Sequence, residues 1–227
     1  MALKLSIIIP AYNEEQTLLT IIKKVTEIPL DKEIIIVDDG STDSTPRILS
    51  NYKDKYGFKI VRHNSNQGKG MAIRSAINHI AGDITIIQDA DLEYDPQDYL
   101  RLIEAMKNGG EPVMYGARTW QRKHLHISSY LGSKMVTFLT NLLYRQKLTD
   151  EPTCYKAFDS KLLRSIPLKC KGFEFDPEIT AKISKQGIKI KEISIRYHPR
   201  GFKEGKKIRW IDGFVAVWVL FKHLFIS

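Results

Sequence analysis

Only two cysteines, Cys154 and Cys170, occur in 227 residues, and they form no C-x-x-C or comparable metal-ligand spacing. That excludes a disulfide framework and a thiolate metal site, and the pair is expected to be reduced thiols of a cytosolic protein. No run approaches the roughly 20 apolar residues needed to cross a bilayer. The nearest candidate, Phe214 to Phe221, is stopped by Lys222 and His223. Met1 to Pro10 lacks the basic start, long apolar run and cleavage site of a signal peptide and reads as a strand. The expectation is a cytoplasmic chain that does not span a membrane by itself. Internal repeats and low-complexity tracts are absent. So are acidic residues from Pro112 to Thr149, where six Lys or Arg and two His interleave with Tyr115, Trp120, Tyr130, Phe138 and Tyr144. This shift in composition marks a different surface.

What is present is an ordinary globular composition, 43% hydrophobic and 27% charged, long enough to bury a substantial core in one elaborated domain. The net charge of +9 raises the chance of an anionic partner without choosing among nucleic acid, anionic lipid and a phosphate-bearing substrate. Short β-branched runs alternate with helical patterns, the signature of βαβ units around a parallel sheet. Strands are expected at Leu5–Ile9, Glu33–Val37, Lys59–Arg62, Ile84–Gln88, Val113–Gly116, near Thr153–Phe158 and at Ile188–Ile195. Helical spacing of apolar residues covers Glu14–Glu27, Thr45–Lys53, Lys69–Ile80, Ser128–Leu143, Pro177–Lys185 and Trp210–Phe225. A further helix is expected to open at Pro96, with Asp95 as its cap, and to end at Asn108-Gly109-Gly110. In Ser128–Leu143 the residues Leu131, Met135, Phe138, Leu139 and Leu142 fall on one side.

The most informative segment is Gln88-Asp89-Ala90-Asp91-Leu92-Glu93, with carboxylates at every second position just past a buried strand. At the carboxyl end of a strand, where open α/β sheets bind ligands, such side chains can share a divalent ion. Two other strands end in comparable loops, Pro10-Ala11-Tyr12-Asn13-Glu14-Glu15 and Val37-Asp38-Asp39-Gly40-Ser41-Thr42-Asp43. In a parallel sheet all three endings lie on one edge and converge on one pocket. There Asp39 can accept from the N–H edge of a base, Tyr12 can offer an aromatic wall, and Lys69 can meet a phosphate. The same residues admit plainer roles: helix capping by Asn13 and Asp43, a core tyrosine, a solvated lysine.

Taken together, these motifs resemble family 2 glycosyltransferases of the GT-A fold, and within them the dolichyl-phosphate or polyprenyl-phosphate sugar synthases. The likeness runs through P-A-Y-N-E-E at Pro10–Glu15, V-D-D-G-S-T-D at Val37–Asp43, N-Q-G-K-G at Asn66–Gly70, D-A-D-L at Asp89–Leu92, Y-G-A-R at Tyr115–Arg118 and T-D at Thr149-Asp150. It implies an α/β fold with a Rossmann-like, mostly parallel central sheet flanked by helices over residues 1–209, followed by an amphipathic interface helix over 210–227. By the same resemblance Pro10, Ala11, Tyr12, Glu14, Asp39, Lys69 and Ala90 belong to the nucleotide-sugar site. Asp89 and Asp91 hold Mg²⁺ or Mn²⁺ and the diphosphate, and Arg118 meets a phosphate near the acceptor. Arg200, Lys206 and Lys207 clamp the donor. Glu93 stands where lipid-phosphate mannose synthases usually carry glutamine beside the metal, which makes it a third candidate ligand. Lys134 is the nearest match to the basic residue of the interface helix.

The implied reaction is inverting transfer of a sugar from GDP-mannose, UDP-glucose or a similar donor to a polyprenyl or dolichyl phosphate. The departing diphosphate develops negative charge that a divalent cation and a Lys/Arg clamp can stabilise. A lipid phosphate is already anionic at neutral pH and needs steering by cations, whereas a sugar hydroxyl needs a carboxylate such as Asp150 to take its proton. A carbohydrate hydroxyl acceptor is therefore the nearest alternative. Nucleic-acid binding is not expected, because no helix-turn-helix, zinc-finger or RNA-recognition pattern occurs. A nicotinamide dehydrogenase fits poorly, since Gly68-Lys69-Gly70 lacks the third glycine and the first strand-helix position. Trp210, Phe214, Val217, Trp218, Phe221 and Phe225, with Lys206, Lys207, Arg209 and Lys222 nearby, suggest peripheral attachment at the cytoplasmic face of a membrane. The same helix pattern also suits packing on the sheet or on a second subunit, and a separate membrane partner remains compatible with the resemblance.

Overall fold

A computed structural model describes residues 3–119, 127–199 and 210–225. Seven strands form one sheet: β1 (Leu5–Ala11), β2 (Lys32–Asp38), β3 (Lys59–Arg62), β4 (Ile84–Ile87), β5 (Val113–Arg118), β6 (Lys156–Asp159) and β7 (Lys191–Ile195). Their order is β3-β2-β1-β4-β6-β5-β7. All pairings are parallel except the two made by β6, which runs antiparallel to β4 and β5. The isoleucine-rich runs of β1, β2 and β4 are buried along nearly their whole length, as expected of strands covered on both faces.

The first three crossovers are α1 (Leu18–Thr26), α2 (Thr45–Tyr56) and α3 (Lys69–Ile77), and α4 (Asp98–Gly109) connects β4 to β5. Leu18, Ile21, Ile22 and Val25 give α1 one buried face. It starts four residues later than the apolar spacing suggests, because the backbone N–H groups of Asn13, Glu14 and Glu15 donate to Ser41, Thr45 and Asp43 instead of starting the helix. Pro96 and Asp95 precede α4 instead of opening and capping it. The Asp95 side chain accepts from Gln97 N in the turn before the helix, at 3.1 Å. Gly110, at φ +63°, then ends α4 in the left-handed conformation that glycine adopts without steric cost.

Beyond β5 the chain leaves the sheet. Helix α5 (Ile127–Tyr144) packs on α7 (Phe175–Lys185) and α8 (Trp210–Phe225) and makes no crossover to the far edge. The next strand therefore enters from the edge where β5 ended, which explains why β6 is antiparallel. A six-residue helix α6 (Ser160–Ser165), absent from the sequence expectations, follows β6 and is capped by Asp159, whose carboxylate accepts from Lys161 N and Leu162 N. Helices α5, α7 and α8 share a small core of Val136, Tyr144, Ala181 and Leu220, and Tyr144 Oη donates to the Leu220 carbonyl at 2.5 Å.

The solvent side of α5 differs from the usual amphipathic arrangement. Leu131, Met135, Phe138 and Leu142 are exposed, and only Leu139 of the expected apolar side packs inward. The buried side carries Ser133, Thr137 and Thr140 beside Val136. Thr137 and Thr140 donate to carbonyls one turn back, Ser133 O and Val136 O, so their polarity is satisfied inside the helix. On α8, Phe214, Val215, Trp218, Phe221 and Phe225 are likewise exposed, while Val217 packs inward. Phe138, Phe214 and Trp218 are each about two-thirds exposed. Among the described residues no helix is long and apolar enough to cross a membrane.

Candidate active site

The carboxyl ends of β1, β2 and β4 open into a cavity of about 1040 Å³. Pro10, Ala11, Tyr12, Glu14, Asp39, Lys69, Asp89, Ala90, Asp91, Glu93 and Arg118 all line it. Asp150 stands behind the lining, and Arg200, Lys206 and Lys207 lie outside the described residues. The parallel register explains the convergence: Pro10 and Ala11 pair with Val37 and Asp38, so consecutive strands end side by side.

The first two loops are laced to one another. Asn13, with a positive φ of 50°, accepts from Thr42 N at 2.8 Å, and its own N–H donates to Ser41 Oγ at 3.0 Å. Asp43 accepts from Glu15 N and Thr45 N, at 3.1 and 2.8 Å. Asn13 and Asp43 thus brace loops; the N-caps of α1 and α2 are Thr17 and Ser44. Asp39 is buried and accepts from Gln67 N at 2.9 Å, Gly68 N at 2.8 Å and the His63 ring at 2.6 Å. A base bonded to Asp39 would share oxygens that already organise the Asn66–Gly70 loop. Gly68 sits at φ +96°, and a side chain there would strike the Lys171 carbonyl, which accounts for glycine in this motif. Gly70 N and Met71 N then donate to Gly172 O and Lys171 O, docking the start of α3 against the segment before α7.

Gln88 anchors the acidic loop. Wholly buried, it accepts through Oε1 from Tyr99 Oη and Tyr155 Oη at 2.5 and 2.6 Å, and its amide donates to Asp89 O at 2.8 Å. Asp89 is paired with Lys69, Oδ1 to Nζ at 2.6 Å. Lys69 therefore meets a carboxylate where the sequence suggested a phosphate. Asp91 accepts from Glu93 N at 3.1 Å, and Glu93 Oε2 accepts from Tyr197 Oη at 3.1 Å. Between them Leu92 holds a φ of +64°, an uncommon backbone state for a branched residue.

Arg118, at the end of β5, forms a bidentate pair with Asp150: Nε to Oδ2 at 2.6 Å and Nη2 to Oδ1 at 2.7 Å. Its backbone N–H also donates to Asp150 Oδ2, and its guanidinium lies 5.1 Å from the centre of the Tyr197 ring. Ser133 Oγ bridges the pair, accepting from Arg118 Nη2 at 3.1 Å and donating to Asp150 Oδ1 at 3.0 Å. Burial opposes the charge on Asp150, but the adjacent guanidinium outweighs it and holds the carboxyl below its ordinary value. A carboxylate so engaged is a poor proton acceptor, which weighs against Asp150 as a general base.

Beneath this pair lies a network with no marker in the sequence. Lys156 is fully buried and donates to Asp176 Oδ1 at 2.6 Å and to the carbonyls of Glu151 and Thr153. Glu151, also fully buried, accepts from Thr180 Oγ1 at 2.8 Å, while its Oε2 has no hydrogen-bond partner. Burial, only partly offset by Lys156, pushes its carboxyl up to about 7. Lys156 therefore clamps the 151–153 turn that carries Asp150.

Among the described residues the cavity carries an excess of acid. Glu14, Asp39, Asp89, Asp91, Glu93, Asp176 and Asp212 face Lys69 and Arg118. A dianionic ligand in such a cavity requires added positive charge, and the hard oxygens of Asp89 and Asp91 suit Mg²⁺ or Mn²⁺. Among the described residues no three His, Cys, Asp or Glu side chains are grouped closely enough to form a cage by themselves. That arrangement fits an ion held by one or two carboxylates plus substrate oxygens, the usual situation for Mg²⁺.

A single mostly parallel sheet ends, on one edge, in paired acidic loops. Solved structures share it: glucosyl-3-phosphoglycerate synthase of Mycobacterium tuberculosis superposes with a TM-score of 0.76 over 99% of this chain and 81% of its own, at 18% identity, which bears on the fold alone. That enzyme has been crystallised with Mn²⁺ and uridine diphosphate, and with Mg²⁺ and uridine diphosphate. Residues 6–166 match glycosyl transferase family 2, and the chain belongs to that family of glycosyltransferases. Dolichol-phosphate mannosyltransferase of Pyrococcus furiosus is 34% identical over 51% of this chain and 33% of its own length. Undecaprenyl-phosphate 4-deoxy-4-formamido-L-arabinose transferase of Edwardsiella ictaluri is 28% identical over 88% of this chain and 62% of its own. The chain thus spans between one third and two thirds of these two relatives. An uncharacterized protein of Methanocaldococcus jannaschii is 28% identical over 84% of this chain and 87% of its own.

Proposed function

We propose that this glycosyltransferase moves a sugar, with inversion, from a nucleotide diphosphate donor to a polyprenyl phosphate at the cytoplasmic face of a membrane. The observation that carries the reading is that Met135 and Phe214 line the same cavity as Asp89 and Asp91 and also stand in the exposed apolar faces of α5 and α8. An acceptor with an anionic head and an apolar tail matches both ends. The names of the two lipid-phosphate relatives point the same way.

The β1 and β2 loops hold the nucleoside, and Asp89 and Asp91 hold the divalent ion with help from Glu93. When bound, that ion neutralises the diphosphate and supports the charge that develops on it as the sugar departs. By the family resemblance, Arg200, Lys206 and Lys207 supply positive charge to the donor diphosphate. Arg118, fixed by Asp150, Ser133 and Tyr197, presents a guanidinium edge that orients the acceptor phosphate. No general base is required, because a phosphate monoester with a second pKa of about 6 is already anionic at neutral pH. The exposed faces of α5 and α8 rest on the lipid surface, and α8 serves as an interface helix.

Incubating the protein with a panel of nucleotide sugars, polyprenyl phosphate and Mg²⁺ or Mn²⁺, then identifying products by mass, tests the reading. A polyprenyl phosphate sugar formed only with metal supports it. A sugar added only to soluble carbohydrate, or full transfer in excess chelator, contradicts it.

A further inference from the structure

Asp176 lines the same cavity as Asp89 and Arg118 but belongs neither to the acidic loop after β4 nor to the ion pair at the end of β5. It stands in the first turn of α7, where the positive end of the helix dipole favours a carboxylate. Its Oδ1 accepts from Lys156 Nζ at 2.6 Å, and the fully buried Lys156 also donates to the carbonyls of Glu151 and Thr153. That oxygen is fixed. Oδ2 has no hydrogen-bond partner among the described residues, and it is not sealed off either: the sealed, unpartnered side-chain atoms there are Glu151 Oε2 and His223 Nδ1. The side chain keeps 12% exposure, so a rigidly held carboxylate presents one open acceptor to the cavity.

Its place in the cavity fixes which part of a donor it meets. On one side Gly70 N and Met71 N dock on Gly172 O and Lys171 O, which brings Lys69, and Asp89 with it, against the segment leading into α7. Burial opposes the charge on Lys69; Asp89 sustains that charge most, and Asp176 contributes. On the other side Lys156 ties Asp176 to the turn after Asp150, the partner of Arg118. With the diphosphate at Asp89 and the acceptor at Arg118, a sugar passing between them lies along the stretch of wall that holds Asp176.

We infer that Asp176 Oδ2 accepts a hydrogen bond from a hydroxyl group of the donor sugar and that this contact selects the sugar. This rests on the nucleotide-sugar reading above and is independent of the acceptor's tail. An ionised carboxylate can only accept, so a sugar that lacks the hydroxyl, or points it elsewhere, leaves a largely buried charge without a partner. Sites built in this way reject the analogue that lacks the hydroxyl far more strongly than apolar pockets discriminate by size.

Asp176→Asn in the full chain tests this. The Lys156 ammonium has no acceptor atom, so the amide must turn its oxygen to Nζ and its NH2 group to the cavity; the buried contact survives while the open acceptor becomes a donor. Hydrolysis of the donor by water, with Mn²⁺ and no acceptor, is followed for the best donor of a panel led by UDP-glucose and GDP-mannose, and for its monodeoxy analogues. In the parent one analogue should lose about tenfold or more in kcat/KM, and Asp176→Asn should lower the complete sugar by a similar factor while using that analogue no worse than the parent does. Calorimetric binding of the nucleoside diphosphate with Mn²⁺, which carries no sugar, should be equal in the two proteins. Equal losses on the complete sugar and on every analogue overturn the contact, because the change then acts through the fold. Weaker binding of the sugar-free diphosphate also overturns it, since that places Asp176 at the phosphates or the metal, and so does unchanged hydrolysis of the complete sugar. If the parent neither binds nor hydrolyses any nucleotide sugar, the underlying donor reading fails and the contact with it.

Discussion

The two halves of the molecule treat polar and apolar groups in opposite ways. Around β1, β2 and β4 the apolar side chains are sealed between sheet and helices, and the loop carboxylates Asp39 and Asp43 are already bonded to backbone N–H groups. Around α5 and α8 large apolar side chains face outward while Ser133, Thr137 and Thr140 are turned inward. The first half is a finished surface that needs only a ligand and cations. The second is unfinished in water, and contiguous apolar exposure of this kind marks an interaction surface.

Breaking the donor side should have the largest effect. Asp91→Asn keeps an oxygen for Glu93 N but loses the charge proposed to hold a divalent ion, so transfer should fall about a thousandfold with the unfolding midpoint unchanged. Steady-state assays beside calorimetry check this, and residual activity near the parent level would reassign the metal.

The hinge between the halves is the Arg118–Asp150 pair. Arg118→Ala strands a buried carboxylate and should destabilise by about 3 kcal/mol, whereas Arg118→Met combined with Asp150→Leu should recover much of that loss. Denaturant unfolding of Arg118→Met, Asp150→Leu and their combination measures the coupling. Additive losses would show that the pair acts as two independent groups.

A smaller effect belongs to Glu151. Its carboxyl stands at about 7 in the fold against an ordinary 4.5. Between those values the folded state binds more protons than the unfolded one, so this group's contribution falls as pH rises through the window and is lost above it. The loss amounts to at most about 3 kcal/mol, and Glu151→Gln should flatten that part of the stability–pH curve. Parallel curves for parent and variant would place the titration elsewhere.

The apolar half gives the smallest single-site change, because its contacts are spread over many side chains. Trp218→Asp should weaken binding to anionic vesicles about tenfold while leaving donor hydrolysis intact. Unchanged vesicle binding would return α8 to the role of an ordinary packing helix or a contact with a second subunit.

The contrast between the halves also governs what could be read from sequence. Every strand, and each loop that ends on the ligand edge, announces itself through local pattern: β-branched runs, then Asp, Asn and Gly in fixed order. Gln88, His63 and Lys156 carry no such pattern. Gln88 matters through tyrosines 11 and 67 residues away, and Lys156 through Asp176 across a helix. The reversal of β6 follows from where α5 packs, which no local window contains. On α5, periodicity found the apolar stripe but not its direction. Threonines that satisfy themselves on their own helix can be buried, and the leucines then go outside.

The central claim is that the anionic head and the apolar tail of one acceptor are recognised together. Polyprenyl phosphate and the matching polyprenol, presented in the same vesicles with the same nucleotide sugar and metal, test it directly. Transfer to the phosphate and none to the alcohol is the expected result, with Arg118→Ala lowering transfer much more than donor hydrolysis. Equal transfer to both lipids, or transfer to a soluble sugar hydroxyl in their place, would contradict it.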